Sequence, residues 1–270
     1  MKNVSKEKAI ISQHPVGTHV YGSSLSAEDC ATTSGVPHRK LTENGNTDAF
    51  LDFTVQALQN HHADSQKLQR IRKTIQSLSG DVCKYQQSPY PHADKTRKGN
   101  FAEVVLAEYI KACTTAQLPV YRLRYNPNIE QSMKGDDVLM FDLDSNPVRI
   151  IVGESKFRGI PNKKAVTDIL SGLNKSHNTG LPVSLAFVVD RLFESGRNDL
   201  AEKLNDFTTL FLKNKLTIDY IGLLMSNSDA SNHIDKNTTS ELHNLLMISL
   251  GVDSPEILVE TAFERLEAVL

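Results

Sequence analysis

Apolar residues recur at both helical and strand spacings along most of the chain, and this predicts a mixed α/β protein. Helical spacing begins at residue 48 and returns over 65–78, 101–113, 163–174 and 199–213. Extended apolar runs cover 120–125, 138–143, 148–152, 181–189 and 216–225, and two further helices are predicted after residue 241. Helices come first and then strands and helices alternate, so we expect a mixed β-sheet flanked by helices.

The first third of the chain differs from the rest. Residues 1–47 are rich in Ser, Thr, Gly, Asn and His with little periodicity, which is typical of a loosely structured arm or a small β-containing lobe. Two amphipathic helices follow, and the proline-containing stretch 86–100 is predicted to be a loop. We therefore expect an N-terminal arm and helical extension over residues 1–95, and the main α/β domain with C-terminal helices over residues 96–270.

The composition provides material for a core and excludes one class of function. Of 270 residues, 39% are hydrophobic and 23% are charged, which favours a packed domain over disorder. The 30 Lys and Arg residues are balanced by 32 Asp and Glu residues, for a formal charge of −2. A protein that binds nucleic acid through bulk positive charge is therefore excluded, whereas a local basic patch remains compatible.

Targeting and cysteine patterns favour a cytoplasmic protein. The first 21 residues contain no apolar run of signal-peptide length, and the longest apolar runs are about half of a membrane span. The three cysteines, Cys30, Cys83 and Cys113, lie far apart with no Cys-x-x-Cys spacing. The sequence thus supports neither a disulfide framework nor a zinc site, and no membrane association is expected.

The most informative segment is a predicted β-hairpin. Two extended apolar runs flank a tetrapeptide of turn-forming residues at 144–147. Asp137 precedes the first run, and Glu154 and Lys156 follow the second. Acids and lysines are rare in buried strands, so these three residues are candidates for chemistry.

Strand geometry relates these side chains to one another. Because side chains alternate along a strand, Glu154 and Lys156 share one face. With a two-residue turn at 145–146, counting back along both strands places Asp137 directly opposite Glu154, with Cβ atoms about 4.5–5.5 Å apart. A longer turn would shift this register.

Two carboxylates at that separation repel each other unless a proton or a cation lies between them. A hard divalent cation with oxygen ligands, Mg²⁺ or Mn²⁺, is the natural occupant. Lys156 would point toward the same place, where it could orient or help deprotonate a water and neutralise charge on a phosphate. The pattern therefore predicts metal-dependent phosphodiester chemistry.

The arrangement resembles the PD-(D/E)XK nuclease superfamily, whose motif is an acid at one strand followed by Glu-x-Lys on the next. The resemblance implies a restriction-endonuclease-like α/β fold over residues 96–270. It also implies metal ligation by Asp137 and Glu154, a catalytic role for Lys156, and a helix glutamate at Glu103. Asp136 stands beside Asp137 in this sequence, so either aspartate is a possible ligand. Asp137 is preferred, because it directly precedes the apolar strand and matches the register above.

A narrower resemblance covers residues 98–170. The runs GNFAEVVLAEYI, YRLRYNPN, KGDDVLMFDLD and GESKFRGIPNKKAV are similar to the HamA family, the nuclease subunits of Hachiman anti-phage defence systems. This resemblance implies a bacterial effector that cuts or nicks DNA beside a partner helicase. A catalytically inactive nuclease-fold module that binds DNA or regulates a helicase is the alternative.

Cationic side chains gather just after the Glu-x-Lys motif. Arg158, Lys163 and Lys164 are candidates for holding backbone phosphates. The competing interpretation is an ordinary solvated helix N-terminus. Arg122 and Arg124 are predicted to alternate outward from the strand at 120–125, where they either extend the same nucleic-acid-binding patch or are simply solvated.

Overall fold

A six-stranded mixed sheet forms the centre of the computed structural model, which describes residues 10–77 and 88–270. The strands are β1 (Leu25–Ala31), β2 (Pro37–Glu43), β3 (Val138–Asp142), β4 (Val148–Phe157), β5 (Leu216–Ser226) and β6 (Leu245–Gly251). Their order across the sheet is β1-β2-β6-β5-β4-β3. The four inner strands run parallel, and β1 and β3 are antiparallel to their neighbours at the two edges.

Helices cover both faces of the sheet, so the inner strands are apolar along most of their length. One apolar cluster joins the sheet to α1 (Val20–Ser24), α2 (Thr47–His62), α3 (Ser65–Ser77), α4 (Asp94–Cys113) and α10 (Pro255–Ala268). The other joins it to α5 (Lys163–Asn178), α6 (Leu185–Glu194), α7 (Asn198–Asn205), α8 (Phe207–Leu212) and α9 (Ala230–Asn237). The predicted mixed sheet flanked by helices is confirmed.

The N-terminal segment contributes strands to this same sheet. β2 pairs in parallel with β6, from His38 opposite Met247 to Thr42 opposite Gly251. The sequence predicts a loosely structured arm or a small β-containing lobe over residues 1–47. Two strands do form in the described part of this segment, and they belong to the main sheet instead of a lobe of their own. The domain boundary at 95/96 stays a prediction, although the sheet includes strands from both sides of it.

Three other expectations fail. Residues 120–125 form a short 3₁₀ turn over Arg122–Tyr125 instead of a strand. The apolar run 181–189 leads into helix α6, because its buried residues Leu185, Val188 and Leu192 follow helical spacing. The first element after residue 241 is strand β6, whose seven residues are all buried.

The helix before the hairpin starts earlier than predicted. The loop expected over 86–100 ends at Asp94, where α4 begins, and the helix continues to Cys113. The helix predicted over 199–213 is divided into α7 and α8. The predicted end of α3 near residue 78 and Cys83 lie outside the described residues.

Candidate active site

The predicted hairpin forms with the predicted register. β3 and β4 are antiparallel, with Val138 opposite Gly153 and Leu139 opposite Val152. The connection is longer than two residues, because β3 ends at Asp142 and β4 begins at Val148. One further step along this register places Asp137 beside Glu154, which is the pairing expected from the count with a two-residue turn.

Asp137 is held by the residue between Glu154 and Lys156. The backbone N–H of Ser155 donates to Oδ2 of Asp137 at 2.9 Å, and the Ser155 hydroxyl donates to the same oxygen at 3.0 Å. Two donors from one residue fix the carboxylate against the end of β4. Ser155 is the middle residue of the Glu-x-Lys motif, and no feature of the sequence pattern predicts its role.

Glu154 and Lys156 form an ion pair on β4. Nζ of Lys156 lies 2.5 Å from Oε1 of Glu154, and it also donates to the carbonyl of Ser155 at 3.0 Å. Helix α5 passes over this pair at Gly172. A Cβ atom built on Gly172 would lie 2.6 Å from Cδ of Glu154, so the absence of a side chain there makes room for the carboxylate.

Glu103 reaches the cluster from the opposite face of the sheet. It lies on α4 and is buried, with only 6% of its surface exposed. Oε1 of Glu103 is 3.2 Å from Nε of Arg122, and the charges of Asp137, Glu154 and Lys156 all act on its ionisation. The helix glutamate that the sequence resemblance implies is therefore close to the hairpin acids.

The pKa values of these groups reflect several carboxylates that lie close together in a buried site. Burial raises the pKa of Glu103 to about 8 against the lowering effect of Arg122, and the charges of Asp137 and Glu154 raise it further. Burial and the neighbouring Asp137 raise the pKa of Glu154 to about 7. Burial alone would lower the pKa of Lys156, but Asp137 and Glu154 outweigh it, so the pKa is raised and the ammonium persists.

These side chains fit a divalent cation by their chemistry. Burial and mutual repulsion raise the pKa values of two of the three carboxylates toward neutral pH, and a hard cation would relieve both effects. Each carboxylate currently contacts a protein donor: Ser155, Lys156 or Arg122. Metal binding would require Glu154 and Glu103 to exchange those contacts for the cation.

Asp136 forms a structural contact with Ser184. Its Oδ2 accepts the backbone N–H of Ser184 at 2.8 Å, and its own N–H donates to the Ser184 hydroxyl at 2.8 Å. This reciprocal pair fastens the segment before β3 to the start of α6. The geometry thus favours Asp137 over Asp136 as the ligand.

The cations after the motif lie at the surface. Lys163 and Lys164 are exposed at the start of α5, where the Asn162 side chain accepts the N–H of Ala165. Arg158 is partly exposed, and both Arg158 and Lys164 contact Asp168, at 3.6 and 2.9 Å. The positions are compatible with phosphate binding, which stays a prediction.

Arg122 and Arg124 do not project from a strand, and that part of the prediction is wrong. The Arg122 guanidinium turns inward to Glu103 and donates to the carbonyls of Met133 and Asp136. Arg124 donates to the carbonyl of Asn60 and stacks on the ring of Tyr121. The 3₁₀ turn places both side chains in contacts within the protein, and their membership of the nucleic-acid-binding patch stays a prediction.

A cavity of about 170 Å³ opens beside Glu103 and Asp137. Its other walls are mainly apolar and come from the hairpin, from the segment before it and from α6.

None of the described helices is both long and apolar enough to cross a membrane.

Comparison with known proteins gives a consistent assignment. The HamA family profile matches residues 21–266. The chain is 37% identical over 265 residues to the Hachiman protein HamA of Bacillus cereus, an alignment that covers 97% of this chain and 95% of the relative. Matches of this extent span both the hairpin and the N-terminal strands, and the chain belongs to the HamA family.

Proposed function

We propose that this chain is a Mg²⁺- or Mn²⁺-dependent DNA endonuclease that acts as the effector of a bacterial anti-phage defence system. The observation that carries the proposal is the convergence of Glu103, Asp137, Glu154 and Lys156 at the end of the β3–β4 hairpin. Membership of the HamA family supports the defence role. The proposal includes the restriction-endonuclease-like fold that the sequence resemblance implies.

The carboxylates would hold the cation, with Asp137 and Glu154 as ligands and Glu103 assisting. When bound, a divalent cation supplies the positive charge that stabilises extra negative charge on a phosphate in the transition state. Ser155 holds Asp137 in position through its two donors. The Gly172 gap leaves Glu154 room to turn from Lys156 toward the cation.

Lys156 acts as a donor in this proposal. Its raised pKa keeps it protonated at neutral pH, so it orients the attacking water or a phosphate oxygen instead of removing a proton. Hydrolysis consumes one water. The water oxygen bonds to phosphorus, the bond to the 3′ oxygen breaks, and one proton of the water ends on that leaving oxygen.

Arg158, Lys163 and Lys164 would hold the DNA backbone beside the site. All three belong to the β4–α5 connection or the start of α5, directly after Lys156 in the chain. Contacts to phosphates position nucleic acid without reading its sequence, which suits an effector that cuts unrelated DNA.

Plasmid nicking tests the proposal. Supercoiled plasmid is incubated with the full chain in Mg²⁺, Mn²⁺ or EDTA, alone and together with a Hachiman helicase and ATP. We expect metal-dependent relaxation that Glu154→Gln and Lys156→Met each reduce at least about 100-fold, since each removes a group acting on the reacting phosphate.

Glu194→Gln is the matched control, because Glu194 also forms a carboxylate–cation pair, with Arg191, but on an exposed part of α6. It should cleave like the wild type. Full cleavage by folded Glu154→Gln or Lys156→Met would overturn the assigned roles.

A second candidate is a catalytically inactive module that binds DNA or regulates a helicase. The observation that favours it is that each of the three acids already contacts a protein donor in the structure. This candidate predicts no nicking under any of the conditions above, together with DNA or helicase binding that is unchanged by EDTA and by Glu154→Gln.

A further inference from the structure

A second cluster of metal-ligating side chains lies far along the sheet from the carboxylates. Cys30 on β1, His38 on β2 and Asp235 on α9 each present one ligand atom, and these atoms lie within 4.8 Å of one another. Sγ of Cys30 is 3.8 Å from Nδ1 of His38, and Nδ1 is 2.7 Å from Oδ1 of Asp235. The three elements meet only in the folded chain.

We propose that Cys30, His38 and Asp235 form a Zn²⁺ site that is separate from the proposed nuclease centre. Thiolate, imidazole and carboxylate are the three side-chain ligands that zinc takes in proteins. Three protein ligands also leave a fourth tetrahedral position open for water or another ligand, as in zinc sites with an exchangeable ligand.

The spacing matches a tetrahedral ion closely. Zinc–sulfur and zinc–nitrogen bonds of usual length place the two ligand atoms about 3.6 Å apart, near the 3.8 Å between Cys30 and His38. A nitrogen and an oxygen ligand lie about 3.4 Å apart in the same geometry. The distance between His38 and Asp235 would therefore lengthen by less than about 1 Å, and an oxygen of Asp235 already lies within 4.8 Å of the Cys30 sulfur.

The ring of His38 is already oriented for ligation through Nδ1. Its side chain is fully buried, and Nε2 lies 2.9 Å from the hydroxyl of Ser249 on β6. A polar partner on the second ring nitrogen is what fixes a metal-binding histidine in proteins. Ser249, His38 and Asp235 resemble a hydrolase triad in connectivity, but Ser249 is 1% exposed and no substrate reaches its hydroxyl.

Access and charge favour a cation at this position. Cys30 and His38 lie in the wall of a cleft of about 1300 Å³, on the side of the sheet where β4, β5 and β6 begin. Lys40 already places its ammonium 3.2 Å from Oδ2 of Asp235. The cluster thus attracts positive charge, and the flexible lysine can leave for solvent when the ion binds.

Cobalt substitution tests the site in the full chain. Metal is stripped with a chelator, one equivalent of Co²⁺ is added, and the near-ultraviolet absorption of a thiolate–cobalt bond is recorded. A competition titration with a chromophoric chelator then measures Zn²⁺ affinity. We expect the thiolate band in the wild type and its loss in Cys30→Ser, with Zn²⁺ affinity reduced at least about 10-fold in Asp235→Asn.

Cys113→Ser is the matched control, because Cys113 is also a free thiol but lies in the core at the end of α4. It should keep the band and the affinity. Carboxylates produce no thiolate band, so cobalt bound at the nuclease centre is distinguished spectroscopically. Absence of the band in the folded wild type, or its persistence in Cys30→Ser, would overturn the proposal.

Discussion

Nε of Arg122 lies 3.2 Å from Oε1 of Glu103, and this contact connects α4 to the segment that leads into β3. The same guanidinium donates to the backbone carbonyls of Met133 and Asp136. One cation therefore neutralises a buried acid and fixes the backbone immediately before Asp137. Both side chains are largely buried, 12% and 7% exposed, so the ion pair lies in a medium that screens charge poorly.

Replacing Arg122 by Met should destabilise the protein strongly. Removal of one partner leaves the buried carboxyl of Glu103 without its compensating charge and two carbonyls without a donor, which costs about 3–5 kcal/mol. Chemical denaturation at pH 9, where Glu103 is ionised because its pKa is about 8, measures the loss of unfolding free energy.

The double variant Arg122→Met/Glu103→Gln provides the control for this prediction. Removing the acid as well should recover part of the loss, since an amide carries no uncompensated charge. If the two substitutions are simply additive, the ion pair contributes nothing and the electrostatic argument fails.

The stability of the metal-free protein should fall as pH rises. The folded-state pKa values of about 8 for Glu103 and about 7 for Glu154 both exceed the ordinary 4.5. Between pH 4.5 and these raised pKa values, the folded protein therefore binds more protons than the unfolded chain. The stabilising contribution is complete below pH 4.5 and is lost as pH rises through 7 and 8.

Thermal unfolding in EDTA from about pH 5 to pH 9 measures this dependence. Glu103→Gln cannot ionise, so its melting temperature should fall less than that of the wild type over the same range. Saturating Mg²⁺ should also reduce the fall in the wild type, because the cation binds the ionised carboxylates. Parallel pH profiles for wild type and Glu103→Gln would contradict the raised pKa.

Ser155→Ala should weaken metal binding without unfolding the protein. It removes the hydroxyl that donates to Asp137 but keeps the backbone N–H that donates to the same oxygen. Loss of such an orienting contact reduces metal affinity about 10-fold or more. Titration calorimetry with Mn²⁺ measures the change, and Ser155→Thr, which retains a hydroxyl, should bind close to wild type.

Gly172→Ala should disturb Glu154 despite improving helix propensity. Its new Cβ would lie 2.6 Å from Cδ of Glu154, so the carboxylate must move, and such overpacking costs about 1–3 kcal/mol. We expect reduced cleavage and no gain in melting temperature. Gly99→Ala is the control: Gly99 is an exposed glycine in α4 with open space around it, and the variant should be stabilised by about 0.5–1 kcal/mol.

The local sequence pattern determined the parts of the fold that form between residues close together in the chain. In the β3–β4 hairpin, the pairing counted from a two-residue turn agrees with the register of the structure, although the connection between the strands is longer. Strand β5 and helices α2 and α5 were also predicted, since their apolar positions follow a single period. The β3–β4 hairpin brings Asp137, Glu154 and Lys156 together.

Short apolar runs were misassigned where the sequence carries no distinguishing signal. A run such as 181–189 satisfies either a buried strand or a buried helix, and packing against the sheet selected helix α6. The segment 120–125 alternates like a strand, but the inward contacts of Arg122 and Arg124 hold it in a 3₁₀ turn.

The sequence by itself determined the hairpin, its register and the identity of the Glu-x-Lys residues, because all of these depend on neighbours in the chain. Only the tertiary structure decided that β2 joins β6, that Asp136 binds Ser184 at the start of α6, and that Gly172 makes room for Glu154. Contacts between residues distant in sequence decide these features, and their energies depend on burial and partners that no local period encodes.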